Sequence, residues 1–166
     1  MRTAGAVLVL AAGGLCGFWA ASRLQKRIAV LEAVRLWIRY METEFRFHAT
    51  PLNETLADCV QQAAFRELTF LKAGLCGNGV PMEEMAQAVN REKKTLALTD
   101  DDVVLLIRLI EGLGRTDLQG QQVHLAHCAK RIEEQERLAR EVYLRRGKIY
   151  RVAGICTAAA MVLVFW

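Results

Sequence analysis

Leu24 to Phe45 reads LQKRIAVLEAVRLWIRYMETEF. Its apolar residues recur in sevens, at Leu24, Leu31, Ile38 and Phe45, with Val34 and Met41 on the companion positions. That spacing places one apolar seam along a helix and predicts a long helical element that packs against a partner helix. A matching seam lies near the other end of the chain. Leu125, Ile132 and Ala139 alternate with Cys128, Gln135 and Val142 in the same register, with Glu and Arg on the remaining faces. Two long antiparallel helices are therefore expected at the heart of an all-α bundle, or alternatively two amphipathic helices packing separately on the central ones.

Working outward, each seam leads into an uncharged run. Residues 3–22 read TAGAVLVLAAGGLCGFWAAS, and residues 152–166 read VAGICTAAAMVLVFW. The chain is 53% apolar and yet 24% charged, and these values coexist because apolar residues concentrate at the two ends. A helix needs roughly 20 apolar residues to cross a bilayer core of ~30 Å. The first run meets that length, and the second is a minimal span whose terminal Trp166 suits a headgroup interface. The expected organisation is a transmembrane helix at 3–22, a cytosolic helical domain at 23–148 and a short transmembrane helix at 149–166. Two alternatives stand beside it: a cleaved signal peptide at the first run and a buried C-terminal helix at the second.

Lys and Arg set the orientation. Arg23, Lys26 and Arg27 follow the first run, and Arg140, Arg145, Arg146, Lys148 and Arg151 precede or open the second. Cytoplasmic flanks carry such excesses, so a two-pass protein of the cell membrane is expected, with its central domain in the cytosol and both termini outside. Of the five cysteines, Cys16 and Cys156 fall in the spans and Cys59, Cys76 and Cys128 face a reducing compartment, so no disulfide framework is implied. The net charge of +4 reflects membrane flanks; no basic and aromatic interleaving points to nucleic acid. Within the spans Gly13, Gly17 and Ala21 repeat at intervals of four, as do Gly154 and Ala158, and small residues at that spacing let helices approach closely in lipid.

Local chemistry marks the remaining boundaries. Thr50 and Pro51 read as an N-cap followed by a proline in the first turn, which stops the first long helix near Ala49. One helix is expected from Pro51 to about Ala64, another through Phe65–Cys76, and a third from Pro81 to Asn90 or a little beyond. Thr99-Asp100-Asp101-Asp102 is a start signal with Asp102 at the capping-box position. The helix that follows should close at Gly114, with Asp117 capping the last one.

Catalytic equipment is sparse. There is no P-loop, nucleophile elbow, HExxH or CxxC pair. His124, His127 and Cys128 come nearest to a metal set but lack third and fourth partners on a closing geometry, so no metal, cofactor or catalytic residue is assigned. Glu42 and Glu44 are two apart and diverge on a helix, which argues against acid–base pairing. They lie about 20 residues beyond the basic flank, roughly 30 Å along a helix. Acids gain nothing from a helix C-terminus, so Glu42, Glu44 and Arg46 are candidate partner-facing residues, with pairing inside the bundle as the alternative.

In sum of its ordered motifs, the chain resembles the stage III sporulation protein AB family. The resemblance rests on the N-terminal span, the acids Glu42 and Glu44, TPL at Thr50-Pro51-Leu52 with Glu54 after it, LG-x-x-D at Leu113, Gly114 and Asp117 with Gln121 and Gln122 following, and Lys148, Tyr150 and Gly154 before the terminal span. Phe47 departs from it by standing where an aromatic hydroxyl is usual, and residues 76–98 carry no matching signature. The resemblance implies a non-enzymatic platform or adaptor in the sporulation channel complex between mother cell and forespore, on the mother-cell side at the outer forespore membrane. Its expected partners are other stage III subunits, a cytosolic ATPase and the membrane, with homo-oligomerisation left open. The family is similar to a cytoplasmic domain of the platform proteins of type II secretion. Two rivals remain: a platform component of another secretion or pilus system, and a membrane enzyme or metal sensor using the His124–His127 face.

Overall fold

A computed structural model describes the backbone of residues 2–47, 52–76, 81–113 and 118–165, with side chains for residue 19 and residues 21–47, 52–75, 81–113 and 119–145. Six α-helices follow in order: α1 Arg2–Phe47, α2 Leu52–Gln61, α3 Phe70–Cys76, α4 Pro81–Glu92, α5 Asp100–Gly112 and α6 Leu118–Phe165, with a 3-10 turn at Ala63–Phe65. Among the described residues there is no strand. The all-α expectation holds, and α1 and α6 are 46 and 48 residues long.

The chain divides into two compact units. One comprises Met1–Lys26 with Leu138–Trp166, the other Arg27–Arg137. In the second unit α1 buries Leu31, Val34, Ile38, Met41 and Phe45, as the heptad reading requires. It also buries Ile28, Val30, Ala33 and Trp37, so the apolar face is broader than a two-helix seam. Aromatic contacts supply the reason. Trp37 meets Phe70 of α3 edge-on at 6.0 Å, and Tyr40 meets Phe65 of the 3-10 turn at 5.8 Å. Each such pair adds roughly 0.5–1.5 kcal/mol beyond area burial. A helix covered on more than one side shows a wide stripe rather than a narrow one.

On α6 the expected seam residues Leu125, Cys128, Ile132 and Ala139 are buried, while Gln135 and Val142 are half-buried. α1 and α6 meet through polar side chains: Arg27 Nη2 donates to Gln135 Oε1 at 3.2 Å, and Arg35 Nε donates to Glu136 Oε2 at 2.8 Å.

The stretch after α2 corrects the sequence reading. No single helix runs through Phe65–Cys76. Gln62 is extended, at φ −76° and ψ 130°, and short-range bonds from Leu68 N–H to Phe65 O and from Leu71 N–H to Leu68 O carry the chain around to α3. This places Phe65, Leu68, Phe70 and Leu71 all in the core, which one helix face cannot do because its buried residues recur at three and four.

Beyond α4 the chain is locked by a Schellman motif. Leu98 N–H donates to Lys93 O at 3.0 Å and Ala97 N–H to Lys94 O at 3.3 Å. Ala97 takes the left-handed position, at φ 56°, where glycine is usual. α5 then starts on the predicted capping box: Asp102 N–H donates to Thr99 Oγ1, and Thr99 N–H to Asp102 Oδ2. α5 ends at Gly112, two residues before the expected stop.

Thr50, Pro51, Gly114 and Asp117 lie outside the described residues, and the surroundings of Gly13, Gly17, Gly154 and Ala158 are likewise outside what is described. Among the described residues no helix is long and apolar enough to cross a membrane. The side chains of the expected spans at 3–22 and 149–166 fall almost wholly outside the described ones, although their backbone is helical within α1 and α6.

Candidate interaction surface

α1 delivers Glu42, Glu44, Arg46 and Phe47 to its C-terminal end. Arg46 and Phe47 are exposed, Phe47 at 70%, and the Arg46 guanidinium stacks 5.5 Å from the centre of the Phe47 ring. Glu42 is half-buried. Glu44 points its charge elsewhere, as two residues of helix dictate. Its carboxylate bears on Tyr40 and on Cys59 of α2, and helps to raise the pKa of both. For each of those groups burial is the larger cause, and it pushes the Cys59 thiol up to about 12. The nearby Trp37 indole eases that shift only in part; its Nε1 is buried and does not reach hydrogen-bond geometry. The carboxylates thus divide. Glu44 acts electrostatically on Tyr40 and Cys59, and Glu42 stands one helical turn before Arg46.

Deeper in the same unit lies an ionic cluster that sequence reading missed. Arg27 grips Asp102 with two bonds, Nε to Oδ2 at 2.7 Å and Nη2 to Oδ1 at 2.9 Å. Asp102 is fully buried, and a buried carboxylate demands such complete pairing. One carboxylate therefore caps α5 and holds α1, while Arg27 Nη2 reaches α6 through Gln135. Register was the available signal. Arg27 stands seven residues before Val34 on the companion row, where an unpaired charge would be expelled, whereas Glu136 stands one residue past Gln135, off both α6 rows.

His124 is a packing residue. Its Nε2 lies 3.4 Å from Leu109 O and 3.7 Å from Cys128 Sγ, and its ring covers Gly112 so closely that a Cβ there would collide with it. His127 is exposed. Among the described residues no group of three or more His, Cys, Asp or Glu is placed to hold a metal ion.

These features describe a helical domain with an exposed Arg–aromatic stack at one end and a pinned interior. A family model for stage III sporulation protein AB matches residues 2–166. The chain belongs to the stage III sporulation protein AB family. Comparison with curated proteins and with solved structures gave no match. Membership of the stage III sporulation protein AB family implies a role at stage III of sporulation, and the family is not a known enzyme family. Of the motif residues that carried the resemblance, Leu52 is half-buried at the start of α2, Leu113 is buried just past α5, and Gln121 is half-buried in α6.

Proposed function

We propose that this chain is a non-enzymatic, two-pass membrane platform of the sporulation channel complex. Its central helical domain lies in the cytosol on the mother-cell side, and its two long helices run antiparallel into membrane anchors. The end of α1 docks another subunit, with the cytosolic ATPase as the favoured partner. Anchoring is supported by the uncharged runs at both ends and the Lys/Arg excess beside them. The observation that carries the docking role is the exposed Arg46–Phe47 stack. Arg and aromatic side chains dominate interface energetics, and a solvent-facing pair on a rigid helix is poorly explained by folding alone. α1 runs about 20 residues past Lys26, roughly 30 Å of helix, which carries the stack clear of the headgroups.

A triple variant, Glu42→Lys with Arg46→Glu and Phe47→Ser, tests the reading, with Glu44 left native because of its contacts near Tyr40 and Cys59. Expected are normal melting and membrane retention, loss of co-purifying stage III subunits, and blocked spore formation. Unfolding or loss from membranes would make these residues structural. Unchanged assembly would move the docking surface elsewhere.

A further inference from the structure

Among the described side chains of the unit formed by Met1–Lys26 and Leu138–Trp166, Trp19, Leu138 and Leu144 face outward while two small residues are buried. Its buried alanines Ala21 and Ala139 are each 2% exposed, whereas Trp19 is 65% and Leu144 67% exposed. The other unit does the opposite with its tryptophan, Trp37, which is 1% exposed. An exposed tryptophan beside basic side chains suits a headgroup interface, where aromatic rings are enriched.

Charge is concentrated on the same unit. Between Trp19 and Lys26 and between Leu138 and Arg151 stand seven Lys and Arg against one acid, Glu141, a net +6. The rest of the chain holds 15 Lys and Arg against 17 acids, a net −2, so this collar accounts for all of the chain's +4. Arg23, Lys26 and Arg145 are exposed. Arg23 stacks its guanidinium 5.4 Å from the centre of the Trp19 ring, which couples a headgroup-level aromatic to a cation that matches phosphate.

We propose that this collar selectively binds anionic phospholipid headgroups, with Trp19 at the interface and Arg23, Lys26 and Arg145 engaging the phosphates. The inference rests on the membrane-platform reading and adds a lipid specificity to it. A basic residue near an anionic surface strengthens binding by about fivefold, so three acting together give a preference large enough to measure.

The test reconstitutes the full chain in bilayers of mixed zwitterionic phosphatidylcholine and anionic phosphatidylglycerol. The lipid that stays with the protein on extraction in mild neutral detergent is then measured. Phosphatidylglycerol should be enriched several-fold over its bulk share. Arg23→Gln/Lys26→Gln/Arg145→Gln should return it to the bulk share, whereas Arg66→Gln/Arg91→Gln/Lys94→Gln, three exposed cations of the other unit, should leave it enriched. Soluble glycerol phosphate should not displace the retained lipid. Bulk composition around the native chain that still resists carbonate extraction overturns the lipid specificity and leaves the platform reading standing. A chain that carbonate removes overturns both. Displacement by glycerol phosphate would mean a site for free phosphate esters and would also overturn the proposal.

Discussion

Asp102 does two jobs with one carboxylate, and its neighbours define what each is worth. It accepts the Thr99 N–H at 2.9 Å and two Arg27 donors while fully buried. Breaking a buried pair from one side leaves a charge without a partner and costs roughly 3–5 kcal/mol. Asp100 contacts Lys93 from a side chain that is 92% exposed, and exposed pairs contribute about 0–1 kcal/mol. Asp102→Ala should therefore lower stability several times more than Asp100→Ala in chemical denaturation of the full chain; equal effects would contradict the cluster. Cys59 gives a pH test. Its folded thiol is held up to about 12 against an ordinary 9.0. Between those values the unfolded chain loses a proton that the folded chain keeps, so stability should fall as pH rises, by up to about 1.4 kcal/mol per unit. Cys59→Ala should flatten that alkaline slope, and an unchanged slope would show that other groups carry it. Neither role was legible beforehand. Asp102 looked like a cap alone and Arg27 like a membrane flank; the place of Arg27 on the companion row was the one signal, and pairing over 75 residues leaves no local trace of the partner.

At the scale of elements, local chemistry foretold starts better than stops. Thr99 forms the capping box its sequence announced, and Thr99→Ala should cost about 1 kcal/mol. The Schellman motif that precedes it went unread because Ala97, unlike glycine, gives no warning of a left-handed residue. That substitution runs the other way: Ala97→Gly relieves a strained φ and should raise stability by about 0.5–1 kcal/mol, net of the freedom glycine adds to the unfolded chain. Thermal melting of the two variants should show shifts of opposite sign, and destabilisation by Ala97→Gly would contradict the strain. The heptads located most of the buried residues of α1 and α6, with Leu24, Gln135 and Val142 only half-buried. They understated the width on α1, since a periodicity within one helix cannot report that α3 and the 3-10 turn cover its flank. The path through Gln62 and Thr69 was misread as helix for a related reason. Thr69 is held by its hydroxyl bond to Glu92 of α4, a tertiary contact that overrides local propensity.

For the whole molecule, the distribution of polarity carries most of the account. Uncharged ends and basic flanks underlie the membrane-platform reading proposed above. The family was legible because its motifs keep their order along the whole chain, and the match over residues 2–166 agrees. The proposed docking surface was legible only in part. Glu42 and Arg46 reach the end of α1, Glu44 turns towards Tyr40 and Cys59, and the exposure of Phe47 became visible only in three dimensions. The most direct test of the platform reading is photo-crosslinking in sporulating cells from an amino acid placed at Phe47, with exposed Arg91 as the control position. The account predicts an adduct with the cytosolic ATPase or another stage III subunit from position 47 and none from position 91. Capture of lipid alone at position 47, or of proteins from outside the cytosol, would contradict it.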